Sequence, residues 1–160
     1  MEKLYVGKIV STHGIKGEVK ILSSFQFKEK VFRVGNKLIV DDVDYEIKSY
    51  RVHKGFDMVT LNNYKDINEV LFLMKKEVFV SKDSLSFSDN EIFDEELMEF
   101  EVITTDGRRG SVLEIFYASP TNKVMRINIG DEYLVPFNSP FMKELDKKNK
   151  TILVEILEVK

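Results

Sequence analysis

The sequence predicts an all-β protein built from two small domains. Short runs in which apolar and polar residues alternate recur along the chain, separated by turn residues about every eight to twelve positions. Only one longer segment, near residue 66, carries helical spacing, so strand-helix-strand units are excluded and barrels or sandwiches remain. The third observation is a break. Residues 81–91, SKDSLSFSDNE, hold four serines and three acids with little to bury, the composition of a linker. A length of 160 residues allows one domain or two, so the linker decides it. The expected domains are 1–81 and 92–160, joined by residues 82–91.

The first domain is organised around residues 6–22, VGKIVSTHGIKGEVKIL, read as two strands about a turn built from His13, Gly14 and Gly17. Val6, Ile9 and Val10 supply apolar positions before the turn, and Val19 and Ile21 alternate with Glu18 and Lys20 after it. The glycines permit backbone angles that side chains forbid, so the loop turns sharply and another group can approach it. Residues 23–30 read as a loop or irregular strand, and 31–37 as a strand running into a Gly-Asn turn. Strands over 37–41 and 45–51 flank the acidic turn DDVD. FDMVTL, residues 56–61, follows the Lys54-Gly55 turn. At Asp66 the period changes: Ile67, Val70, Leu71 and Met74 fall at helical spacing behind an Asp cap. EVFVS, residues 77–81, closes the domain.

Beyond the linker, residues 92–100 predict one helical turn packing Ile92, Phe93, Leu97 and Phe100. Strands follow at 101–105, 111–117, 123–129, 133–136 and 151–156, with a tight DGRRG turn after the first. Asp106-Gly107 reads as that turn, with Arg108 and Arg109 exposed. Residues 139–145 are mixed.

Composition narrows the chemistry. The chain is 43% hydrophobic, with 12 Phe and 6 Tyr, enough for folded cores. It has no Cys, which removes disulfides, thiolate metal sites and cysteine nucleophiles and fits a reducing, cytoplasmic setting. Glu2, Lys3 and Lys8 interrupt any signal-peptide core. No run approaches the roughly 18 apolar residues of a membrane span. The two histidines, His13 and His53, stand 40 positions apart, and no zinc, P-loop or hydrolase motif occurs. Glu95-Glu96 reads as a solvated turn rather than an acid-base pair. No enzyme, no metal and no cofactor are expected.

The net charge of −3 conceals an asymmetry: residues 1–81 hold 14 bases against 11 acids, and residues 82–160 hold 10 against 16. Residues 3–37 carry eight bases and two acids, whereas 83–101 carry eight acids and no base. A basic first surface suits phosphate, although such charge also serves solubility. His13, Gly14, Lys16, Gly17, Lys20, Arg51 and Lys54, beside turns and strand ends, are the candidate nucleic-acid contacts, with Lys8 close by. Phe25, Phe27 and Phe32 read as core in preference to stacking platforms for bases.

The string GKIVSTHGIKGEVKI resembles the opening signature of the ribosome maturation factor RimM family. The second half matches the same family in order: Glu91-Ile92-Phe93, Glu96-Leu97-Met98, Thr104 through Gly110, Tyr133-Leu134-Val135-Pro136-Phe137 and Leu145-Asp146. The resemblance implies a six-stranded barrel like those of translation factors, followed by a PRC-type barrel. It implies a non-enzymatic assembly factor that binds the head of the immature small ribosomal subunit and promotes 16S rRNA processing. Its partners would be a head ribosomal protein and 16S rRNA, with no membrane and no small-molecule substrate, and it would act as a monomer. By position, the ribosomal-protein face would comprise Ile92, Phe93, Leu97, Phe100, Arg108, Arg109, Pro136 and Phe137. The chain departs from the family where Ile92-Phe93 replaces a tyrosine pair and where Glu99 and Lys75 replace glycines. It also ends in ILEVK without a proline-glycine tail. Two rival readings are a PRC-barrel adaptor without an RNA role and a small-molecule enzyme on a reductase-like barrel.

Overall fold

Alternating burial along short segments builds twelve strands among the described residues of the computed structural model, which are residues 2–157; Met1 and the last three positions of the expected second domain lie outside them. The chain divides into two compact units, residues 1–86 and 87–160.

In the first unit, β1 (Lys3–His13), β2 (Glu18–Leu22), β3 (Lys37–Val40), β4 (Val43–His53), β5 (Phe56–Leu61) and β6 (Glu77–Ser81) close a barrel in the order β1-β2-β5-β4-β3-β6. Every second side chain of β2 and β6 is buried, so Val19, Ile21, Val78 and Val80 line the interior with Ile9, Leu38, Ile47 and Leu61. Two-residue turns at Asp41-Asp42 and Lys54-Gly55, all with positive φ, supply the twist that antiparallel hairpins need. Closure draws on β1, which pairs with β6 along its first half and β2 along its second, with a register shift in each ladder. Gly7 sits at the crossing: a Cβ there would collide with the Leu22 carbonyl oxygen and lie 3.1 Å from Ser23 Cα.

Two elements differ from expectation. Residues 31–37 form no strand. The one-turn helix α1 (Lys28–Val31) ends there, and Val31 and Phe32 are both buried, a pairing that strand alternation forbids. The Asn36 amide donates to the carbonyls of Lys30 and Val31 at 2.9 and 3.1 Å, so this backbone is satisfied by a turn rather than a ladder. Phe32 stacks on Tyr50 at 5.3 Å, and the Tyr50 hydroxyl donates to Asp57 Oδ1 at 2.7 Å. Lys28 Nζ stands 2.9 Å from the other oxygen of this buried carboxylate. The hydrogen-bonded Asp57 and, above all, burial push the Tyr50 phenol up to about 12.

The expected helix behind Asp66 is instead two single-turn 3₁₀ helices, Ile67–Glu69 and Leu71–Leu73. Asp66 caps the first, accepting from the Asn68 amide at 2.7 Å. Three residues per turn align positions 67, 70 and 73, so Val70 and Leu73 are buried while Leu71 is exposed. The segment then turns through Lys75, whose φ is +67° and whose amide donates to the Ile9 carbonyl at 2.9 Å.

The second unit contains α2 (Asp94–Leu97), β7 (Glu101–Thr104), β8 (Arg109–Ser119), β9 (Asn122–Asn128), β10 (Glu132–Pro136), β11 (Met142–Asp146) and β12 (Thr151–Val154). One six-stranded sheet runs β10-β9-β8-β7-β12-β11, antiparallel except between β12 and β7. Leu97, Val102, Met125, Ile127, Ile152 and Val154 are fully buried at its core.

Two stability changes follow. Lys75→Gly relieves the left-handed strain and, after glycine's extra freedom in the unfolded chain, should stabilise by about 0.5 kcal/mol. Calorimetry should show the first unit's midpoint rising by about 2–4 °C. Gly7→Ala should cost about 1–3 kcal/mol, seen as a lower urea midpoint at unchanged slope.

Candidate nucleic-acid interface

The loop between β1 and β2 is held from beneath. Gly14 and Gly17 take φ of +67° and +85°, which only glycine adopts freely. The Ile67 amide of the first 3₁₀ turn donates to the Ile15 carbonyl at 3.0 Å, and a Cβ on Gly17 would lie 3.3 Å from the Asp66 backbone. Ile15, 77% exposed, and Lys16 are left on the surface by this anchoring.

Barrel order carries β4 and β5 to the same place. β5 bridges β2 and β4, with Val59 opposite both Val19 and Tyr50. His53 thereby meets His13 with ring centroids 5.0 Å apart and planes tilted by 56°. Arg51 donates to both Glu18 oxygens, through Nε at 2.9 Å and Nη2 at 2.7 Å. Those hydrogen bonds hold the Glu18 carboxyl below its ordinary value against the opposing effect of burial. His53 is also held below its ordinary range, first by lost hydration and then by the charges of Arg51, His13, Lys54 and Lys20. Lys20 lies over the Phe56 ring, Nζ 4.6 Å from its centroid.

A cavity of about 430 Å³, open to solvent, is lined by His13, Gly14, Ile15, Lys16, Glu18, Arg51 and Thr60. Of the seven first-domain candidates, His13, Gly14, Lys16 and Arg51 thus share one wall system, and Gly17 is buried under the loop. Lys20 and Lys54 stand close enough to His53 to depress its protonation. Sequence reasoning did not single out Ile15, Glu18, His53 and Thr60. Glu18 faces His13 across the hairpin, a neighbour relation that register alone reveals. Phe27 and Phe32 are core residues, as the composition favoured, and Phe25 is half-buried.

The second-domain candidates separate by burial. Ile92, Leu97 and Phe100 are core residues and offer no surface to a partner, because α2 lays its apolar side onto the sheet. Phe93 and Phe137 are half-buried, and Pro136 is exposed. Lys123 spans the group: its Nζ lies 4.1 Å from the Phe137 ring centre and 2.9 Å from Asp94 Oδ1. The Tyr117 hydroxyl donates to Asp94 Oδ2 at 2.9 Å, and burial together with that bond pushes the phenol up to about 12. Arg108, expected exposed, is largely covered; it pairs with Asp106 at 3.0 Å and approaches the Tyr133 ring at 5.9 Å. Hydrogen bonds from Arg108 and Thr104 bring the Asp106 carboxyl down to about 2. Arg109 is exposed, with Nη1 2.6 Å from Glu101. A groove of about 160 Å³ runs past the exposed Leu134, Phe141 and Leu157.

The Glu18–Arg51 fork makes a pH-dependent contribution. Glu18 has a depressed folded pKa, so its stabilisation is complete above its ordinary 4.5 and is lost as pH falls through the lower folded value. Arg51 is 48% exposed, so solvent screening keeps the contribution of the pair small. Urea midpoints should show Glu18→Gln less stable than the parent at pH 7, with the gap narrowing as pH falls below 4.5.

Residues 4–85 match the family model described as the RimM N-terminal domain. The ribosome maturation factor RimM of Staphylococcus aureus strain MRSA252 is 33% identical over 163 aligned positions, covering 98% of this chain and 97% of the relative. A crystal structure of a RimM protein from Pseudomonas aeruginosa aligns with 97% of this chain and 98% of its own, at 21% identity and TM-score 0.47. The solution structure of the RimM N-terminal domain from Thermus thermophilus aligns with 54% of this chain and 98% of its own, at 15% identity and TM-score 0.47. The near full-length match and the domain match together place the chain in the ribosome maturation factor RimM family.

Proposed function

We propose that this chain is a ribosome maturation factor that binds the head of the immature small subunit and promotes 16S rRNA processing. It does so by binding, without catalysing a reaction, and it acts in the cytoplasm as a monomer. The first unit contacts rRNA, and the second contacts a ribosomal protein of the head together with neighbouring rRNA. The observation that carries the rRNA half of this reading is an anchored loop bearing Lys16, with Lys20 on β2 and Lys54 at the β4–β5 turn beside the packed His13 and His53. Cations on a rigid support lose little freedom on gripping phosphates. For the second unit, exposed Leu134, Phe141 and Leu157 near Pro136 support a protein partner, since apolar side chains flanked by arginine are typical of interface cores.

Cosedimentation with free small subunits, large subunits and assembled ribosomes at graded salt tests the reading. Selective binding to free or immature small subunits is expected, and equal or absent binding to all three fractions would overturn it. Lys16→Glu should weaken binding and lower the slope of log affinity against log salt by about 1, the signature of one lost phosphate contact.

A further inference from the structure

We propose that the cavity beside the β1–β2 loop is a pocket for a single unpaired nucleobase of RNA, whose flanking phosphates are taken by Lys16, Lys20 and Lys54. The proposal rests on the reading that the first unit contacts RNA, and it specifies what that contact recognises.

The size fits, since about 430 Å³ lies within the range of preformed small-ligand sites and leaves room for a purine. The wall fits as well. The His13 ring, packed against His53 at 5.0 Å, lines the cavity together with Ile15, and bases stack on aromatic and apolar surfaces whatever their identity. Glu18 and Thr60 add a carboxylate and a hydroxyl that can meet the polar edge of a base.

Charge placement decides which part of a nucleotide enters. A phosphate inside the cavity would face the Glu18 carboxylate, whose Arg51 partner is already engaged by both oxygens. The lysines stand free of that pair, on the loop, on β2 and at the β4–β5 turn. The arrangement therefore favours base inward and phosphate outward. The pocket is also preformed, because the Ile67–Ile15 hydrogen bond, the Gly17–Asp66 approach and the Glu18–Arg51 fork fix its walls before any ligand arrives.

The chain has only two histidines, so their ring signals in NMR report the pocket directly. The full-length protein would be titrated with AMP and UMP, and separately with ribose 5-phosphate, inorganic phosphate and an oligo-aspartate peptide. Both nucleotides should shift the His13 ring signals upfield while the three controls leave them in place. Thr60→Leu narrows the cavity without altering charge and should weaken nucleotide binding about tenfold or more, the scale of one lost base stack. If that variant misfolds, His13→Ala gives the same test with His53 as the reporter. Equal shifts with ribose 5-phosphate would reduce the site to a phosphate grip and overturn the proposal. A response to the peptide alone would make it a protein contact, and no response to nucleotides would also overturn it. Salt-graded cosedimentation run in parallel separates the two readings. Small-subunit binding without nucleotide shifts removes the pocket alone, whereas nucleotide shifts without small-subunit binding leave the pocket and remove the assembly role.

Discussion

The first unit depends on one strand closing a sheet upon itself. β1 runs eleven residues and must serve two partners, β6 and β2, whose directions diverge around the barrel. A flat strand cannot do this; the register shifts between Tyr5 and Gly7 and between Ile9 and Ser11 bend it. Gly7 lies at the closest approach of the two ladders, where the Leu22 carbonyl leaves no space for a side chain. Closure removes exposed sheet edges and fixes where β1 ends. The β1–β2 loop begins where β1 ends.

Rigidity then passes from barrel to loop through backbone hydrogen bonds. The Ile9 amide donates to the Lys76 carbonyl, and its carbonyl accepts from Lys75, so the 3₁₀ segment is tied to the middle of β1. The same segment supports Ile15 and Gly17. This explains why a residue as unfavourable as lysine is held in the left-handed region at position 75: its amide bond is needed to complete the tie.

Electrostatics divide the two units. In the first, Lys16 lines the cavity beside a paired Glu18 and Arg51, and the charges of Lys20 and Lys54 reach His53 next to it. In the second, the bases that face the sheet are held by acids. Asp94 takes both Lys123 and Tyr117, Arg126 spans Glu114 and Glu132, and Asp106 holds Arg108. Such pairing fixes these side chains in place, while the acids that outnumber the bases leave the second unit with a net negative charge beside its exposed apolar residues.

Much of this was legible in the sequence, because strand alternation and turn chemistry are local properties. Residues 56–61 and 77–81 fold as strands over the expected bounds, and Asp66 caps as its residue type predicts. The opening hairpin, with Lys16 on its loop and His13 at the end of β1, followed from strand alternation and glycine placement. What sequence could not reach are relations between distant segments. Residues 31–37 pack as a corner beside the buried Asp57 network, and three-residue spacing, in place of the expected helix, buries Val70 and Leu73. Ile92, Leu97 and Phe100 matched the family pattern equally well as surface or core, and packing made them core. Glu18 and Arg51, like His13 and His53, lie more than thirty positions apart, and strand order alone brings them together. Side-chain chemistry and period therefore set which elements form, whereas the closing of the barrel, a long-range balance of packing and hydrogen bonding, set which residues share a site.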